Sequence, residues 1–175
     1  GTIQSMATYF PGLRPEWKEN CMEERLLGVD LNGQRDSPAA QDPENQRKLR
    51  QVAVETNKKY AEILGINQSA AVTAVKPSGN SSQLLNSSSG LHARWAPFYT
   101  RNVRVSAHSP VCKVLQDAGV PMDPENGQTR ENATTWVVHF PVAAPKGAIT
   151  RNERSALQQC EFWLQNKINY TEHNP

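Results

Sequence analysis

Apolar and polar positions alternate along this chain in two rhythms, one of helices and one of strands. Ile3, Met6, Ala7 and Phe10 keep helical spacing and predict a first helix that Pro11-Gly12 ends. Pro15 opens a second short helix in which Trp17 and Cys21 share a face. Residues 25–31 are short, mostly apolar and closed by Asn32-Gly33, as a buried strand would be. Asp42 as N-cap and Pro43 in the first turn predict a long helix with Leu49, Val52, Thr56, Tyr60, Ile63 and Leu64 on its apolar face and Gly65 as its stop. A second buried strand covers residues 71–75.

The same reading continues through the second half. Val103 and Val105 alternate with Arg104 and predict a strand over 99–106; Ser109-Pro110 starts a helix anchored by Val111, Val114 and Leu115 and ended by Gly119. Residues 121–134 are polar and rich in turn formers, so a surface loop is expected, and 135–140 form a strand. Thr150 and Glu153 are placed to make a capping box for a last helix carrying Leu157, Cys160, Leu164 and Ile168. Strands separated by helices imply the α/β class, with mainly parallel strands and crossover helices. Residues 1–175 are read as a single domain.

The strand at 71–75 runs into Lys76, Pro77, Ser78, Gly79, Asn80, Ser81 and Ser82. Pro77 and Gly79 break a ladder, so the segment is a turn at the carboxyl end of a strand, the place where α/β proteins bind ligands. A helix start after it would offer unpaired backbone N–H groups, with serine hydroxyls as further donors, and phosphate is the ligand that chemistry suits. The spacing is not that of a Walker loop, since Lys76 precedes Gly79 and no second glycine follows at the required distance. The alternative is a plain strand-to-helix turn capped by Ser or Asn. Half of the serines of the chain fall within 78–89. His92 and Arg94, at the end of this stretch, either face a phosphate or an active-site cavity, or belong to a solvated connection.

Composition narrows the classes of function. Lys and Arg number 19 against 17 Asp and Glu, a formal charge of +2, and no basic stripe stands out, so nucleic acid is not an expected partner. No run reaches the length of a membrane span and no basic, apolar leader opens the chain, so a membrane is not expected either and the cytoplasm is the expected compartment. Cys21, Cys112 and Cys160 are scattered and odd in number, against a disulfide scaffold; each lies at or beside an apolar helix face and reads as packing. Five Asn-x-Ser/Thr triplets read as by-products of composition. His92, His108, His139 and His173 show no ligand spacing, so no metal is expected. Asp30 and Asp36 flank the Asn32-Gly33 turn, where an acid can serve chemistry or form the turn. The four tryptophans are too dispersed for a stacking platform.

Several ordered blocks carry a resemblance. Residues 74–82, then Gly90-Leu91-His92, then 99–105, the helix end 117–121, residues 25–36 and the end of the last helix at 166–170 together resemble the carboxyl-terminal part of adenosylcobalamin-dependent (class II) ribonucleotide reductases. The resemblance implies a ten-stranded α/β barrel of two half-barrels, of which this chain supplies much of the second. It implies that Pro77, Ser78, Gly79, Asn80, Ser81 and Ser82 hold the phosphates of a ribonucleotide substrate whose radical chemistry takes place on residues outside this segment. The thiyl-radical and reducing cysteines of the family lie outside the matched blocks, so none of the three cysteines inherits a catalytic role. Adenosylcobalamin is implied for a full-length enzyme and is not expected on this segment alone. The implied partners are the ribonucleotide substrate, expected to be a triphosphate, and the remainder of a reductase chain; the segment reads as inactive alone, and its uncovered sheet edges and apolar face predict self-association. A non-catalytic phosphate-binding or assembly module is the rival reading. The start at Gly1 inside a patterned stretch and the stop soon after the last helix are read as marks of a segment.

Overall fold

A computed structural model describes residues 1–173; Asn174 and Pro175, at the end of the stretch expected to follow the last helix, lie outside it. In chain order the elements are α1 (Pro15–Glu24), β1 (Val29–Asp30), α2 (Pro38–Gln41), α3 (Pro43–Leu64), β2 (Thr73–Ala74), α4 (Ser81–Leu84), β3 (Phe98–Ser106), α5 (Pro110–Asp117), β4 (Met122–Pro124), β5 (Thr135–Ala143) and α6 (Ala156–Asn169), with short 3-10 turns at Gln4–Met6, Gln34–Asp36 and Arg151–Glu153. They cluster into two compact units, one of Gly1–Arg94 with Lys146–Pro175 and one of Trp95–Pro145.

In the first unit β1 and β2 run parallel, Val29 beside Thr73 and Asp30 beside Ala74. Leu27 donates to the Ala71 carbonyl at 3.0 Å and lengthens the pairing by one bond. Helix α3 starts as expected: the Asp42 carboxylate accepts from the Glu44 amide at 2.7 Å, and Gly65, at φ 65°, closes the far end. The first expected helix does not form beyond the Gln4–Met6 turn, because Ala7 is already extended and an eight-residue stretch with Ile3 and Met6 exposed has no packing to offset nucleation.

The expected apolar faces of the two long helices are not their buried faces. On α3 the buried positions are Gln46, Asn57 and Ala61, while Leu49, Val52, Tyr60 and Ile63 are exposed. On α6 they are Phe162, Asn166 and Asn169, while Leu157, Cys160, Leu164 and Ile168 are exposed. The helices meet through amides. Gln46 donates to the Ala40 carbonyl at 3.0 Å, Gln165 donates to the Gln41 carbonyl at 2.6 Å and to Gln46 Oε1 at 3.2 Å, and Arg47 donates to Asn169 Oδ1 at 2.6 Å. Buried amides are tolerated because they find partners. Beside them Val75, Leu91, Phe162 and Tyr170 form a small apolar cluster, with the Arg35 guanidinium 3.7 Å above the Phe162 ring. Burial, with Arg154 nearby, lowers Arg35 to about 10, which leaves it charged at neutral pH.

The capping box at Thr150 and Glu153 forms, but it closes the Arg151–Glu153 turn; α6 has its own box from Ser155 and Gln158. The expected box is real but caps the element before the last helix.

The second unit corrects the expectation of mainly parallel strands. β3 and β5 pair antiparallel over nine residues, from Phe98 opposite Ala143 to Ser106 opposite Thr135, and β4 adds to the other side of β5 in the order β3-β5-β4. β4 lies inside the stretch read as loop; it forms because the Pro121 carbonyl accepts from His139 at 3.1 Å and Glu125 donates to Thr135 at 3.0 Å, which aligns a short segment with β5. Trp136, Val138 and Cys112 are buried here. Helix α5 follows β3 without a crossover to a parallel partner, so its presence in the pattern misleads about strand direction. No described helix is long and apolar enough to cross a membrane.

Glu172, three residues past the end of α6, is docked on β2. Glu172 accepts from the Val72 amide at 2.8 Å and the Thr73 amide at 3.2 Å, and Arg50 donates to its other oxygen at 3.4 Å. Desolvation raises its pKa, but the two amides and Arg50 outweigh that, and the carboxyl sits below its ordinary value. A depressed folded pKa gives stability that is present above the unfolded pKa and lost as pH falls through the acid range. Glu172→Gln is therefore expected to lower stability by about 1 kcal/mol at neutral pH and to flatten the acid limb of a urea-denaturation pH series; an unchanged limb counts against the account.

Candidate functional site

The loop that follows β2 is built from its own serines. Ser78 Oγ accepts from the Ser82 amide at 3.1 Å and lies 3.0 Å from Ser81 Oγ; Ser82 Oγ donates back to the Ser78 carbonyl at 2.7 Å. The Ser78 amide donates to Ser89 Oγ at 2.6 Å, which joins the first half of the loop to the second. The chain then makes the single turn of α4, with Gln83 and Leu84 both donating to the Asn80 carbonyl at 3.0 Å. The expected helix start is thus present but lasts one turn, too short for a dipole of any size.

The proposed phosphate residues divide by environment. Ser82 is fully buried and its hydroxyl is committed to the Ser78 carbonyl, so it shapes the loop. Gly79, Asn80 and Ser81 are exposed, as are Lys76 and Pro77, while Ser78 is half-buried. Among the described residues the amides of Asn80 and Ser81 donate no intramolecular hydrogen bond. Two N–H groups with no acceptor among the described residues, a serine hydroxyl and a lysine in one exposed stretch of chain form a donor set suited to phosphate oxygens.

Both ends of the loop are held by the end of β1 and the turn after it. Asp30 Oδ1 accepts from the Lys76 amide at 2.9 Å, Asn32 Oδ1 from the Gly90 amide at 2.8 Å, and Asp36 Oδ2 from the Ser88 amide at 2.6 Å. In return Gly33, at φ 75°, donates to the Ser88 carbonyl at 2.8 Å. Asp30 and Asp36 therefore act in turn geometry, and neither stands as a free acid. Asp30 also faces Tyr170, whose hydroxyl donates to the Val29 carbonyl at 3.0 Å; burial and then the Asp30 charge push this phenol up to about 12.

Arg94 is neither a solvated connection nor an outward contact. Its Nε and Nη2 take Asp36 Oδ1 and Oδ2 at 3.0 and 2.7 Å, and the pair is almost entirely buried. His92 is exposed. Asn32 and Ser89 had no site role in the sequence reading. The turn pair Asn32-Gly33 and the serine-rich run were visible, but their partnership joins positions 58 and 11 residues apart, which local pattern does not report. Cys112 lies in the second unit, and Cys21 and Cys160 are half-buried and exposed. Among the described residues no group of three or more His, Cys, Asp or Glu is placed to hold a metal ion.

No family model matches the chain. Over 124 residues it is 30% identical to a protein of Dictyostelium discoideum described as a probable adenosylcobalamin-dependent ribonucleoside-triphosphate reductase, a match covering 67% of this chain and 16% of that one. An adenosylcobalamin-dependent ribonucleoside-triphosphate reductase of Lactobacillus acidophilus is 28% identical over 134 residues, 70% of this chain and 18% of the relative. One of Euglena gracilis is 30% identical over 118 residues, 63% of this chain and 16% of its own. The chain thus spans less than a fifth of the length of these relatives. A crystal structure of a B-12 dependent (class II) ribonucleotide reductase shares the fold with a TM-score of 0.63 at 21% identity, over 75% of this chain and 18% of that one.

One glycine sets how closely the two ends of the loop approach. Gly90 has φ 54°, and a Cβ there would lie 2.6 Å from the Lys76 carbonyl oxygen. Backbone cannot yield as a flexible side chain can. Gly90→Ala is expected to destabilise the chain by ~2 kcal/mol or more in urea denaturation, whereas Gly79→Ala, with open space around it, has a much smaller effect; equal costs at the two positions would refute this geometry.

Proposed function

Because the chain is homologous, over about two thirds of its length, to adenosylcobalamin-dependent ribonucleoside-triphosphate reductases, we propose that it is part of a ribonucleotide reductase and supplies the segment that holds the substrate phosphates. The reading is carried by the loop at 76–82, where the exposed residues Asn80 and Ser81 donate no backbone hydrogen bond within the described residues and follow the carboxyl end of a parallel strand. Gly79, Asn80 and Ser81 offer backbone and hydroxyl contacts, Lys76 adds charge, and Pro77, Ser78 and Ser82 hold the shape. Donors of this kind neutralise phosphate oxygens without any proton transfer, so the role is binding and orientation.

The substrate in this reading is a ribonucleoside triphosphate, and reduction to the deoxyribonucleotide takes place on residues outside the segment. Adenosylcobalamin, named for the relatives, supplies radical initiation when bound to a complete enzyme. The donor set of this loop suits phosphate and not a corrin ring, so the segment is assigned no contact with the cofactor. The remaining strands of a ten-stranded barrel belong to the rest of a reductase chain. The exposed stripe of Leu49, Val52 and Ile63, beside an open cavity of about 410 Å³ shared with Leu27, Val29 and Leu31, supports a face made to be covered.

Two measurements test the reading. Titration with a ribonucleoside triphosphate is expected to move the amide resonances of Asn80 and Ser81 most, and Ser81→Ala to weaken binding about tenfold through loss of one hydrogen bond to a charged group. A triphosphate that leaves both resonances in place removes the assignment. The uncovered stripe is expected to drive association of the isolated chain with rising concentration in light scattering, and a strictly monomeric chain would count against a covered face.

A further inference from the structure

We propose that Arg94, acting through Asp36, is a positioning residue that sets the phosphate loop without touching the ligand. The proposal rests on the phosphate reading above and adds the device that holds the loop in its binding shape.

The device is a short comb of acceptors. Asp30, Asn32 and Asp36 each present one side-chain oxygen to one backbone amide of the loop, at Lys76, Gly90 and Ser88, so both its entrance and its exit are fixed by one turn. A carboxylate is the strongest acceptor for such an amide, but an unpaired one beside an incoming polyanion repels it. The Arg94 fork removes that conflict at Asp36. It takes both carboxylate oxygens, and the side chains of the two residues are 3% and 11% exposed, so the charge is cancelled where screening by water is weak.

The same guanidinium reaches the other side of the loop. Arg94 Nη1 donates to Asn86 Oδ1 at 2.9 Å and Nη2 to the Asn86 carbonyl, and Asn86 stands just past α4 with φ 47°. One planar group therefore links the end of α4 to the anchor of Ser88. Its own backbone is held as firmly: the Arg94 amide donates to the Ile149 carbonyl at 2.9 Å, and the Arg151 amide donates to the Arg94 carbonyl at 2.8 Å. Lysine carries the charge but not the fork, so it cannot hold Asp36 and Asn86 in one plane.

The test uses inorganic tripolyphosphate as probe and the 175-residue chain. Arg94→Lys is expected to weaken tripolyphosphate binding about tenfold and to speed amide exchange at Ser82, Ser88 and Gly90 while exchange within α3 stays as it was. The salt dependence of binding keeps its slope, because the charges that face the ligand are unchanged. Asn32→Ala, which removes one acceptor and leaves the ion pair intact, is expected to act in the same direction and covers the case in which the lysine variant fails to fold. A shallower salt slope in Arg94→Lys would make Arg94 a direct contact and overturn the proposal. So would wild-type affinity in the folded variants, which leaves the phosphate reading standing. Tripolyphosphate that fails to bind the wild type overturns the phosphate reading itself, and the positioning role with it.

Discussion

The first unit depends on a buried, bidentate ion pair between residues far apart in sequence, Asp36 and Arg94. Such pairs add little net stability, because desolvation offsets most of the attraction, but breaking one leaves a charge stranded. Their effect is to make one arrangement far better than its neighbours. Here that arrangement brings the turn after β1, the end of α4 and the approach to Arg151 into register, and the loop after β2 takes its shape from these anchors together with its own serines and Gly90.

The core of the first unit is likewise polar. Gln34, Gln46 and Asn166 are fully buried, and the helices α3 and α6 pack through amides while their apolar stripes stay exposed. Amide contacts are directional, so they fix alignment more than they supply burial energy. The apolar area that would ordinarily drive folding lies on the outside of this chain, which is why a covering surface is part of the proposed reading.

Local signals were the legible part of the sequence. Asp42, Pro43 and Gly65 define α3 because caps act over three or four residues, and the alternation at Val103 and Val105 marks β3 for the same reason. Strand direction was not legible: β3 and β5 are separated by a helix, as parallel strands are, yet pair antiparallel. Nor could helical periodicity tell which face is buried, since Leu49 and Val52 mark an apolar face without naming what covers it. At the site, composition pointed to residues 76–82 as a phosphate loop and misjudged Arg94, whose partner Asp36 lies 58 positions away. The capping box at Thr150 is legible but belongs to a 3-10 turn and not to the last helix, because a second box starts only five residues later, at Ser155.

The parallel bridge between Arg94 and Thr150 has a topological consequence. It pairs the first unit's chain close to the two points where the second departs and returns, so in sequence Trp95–Pro145 is an excursion between paired positions. Excursions of this kind can lengthen, shorten or be exchanged without disturbing the parent fold. The serine loop and its anchors have no such latitude: Asp36, Asn86, Ser88 and Arg94 share one set of hydrogen bonds and can change only together.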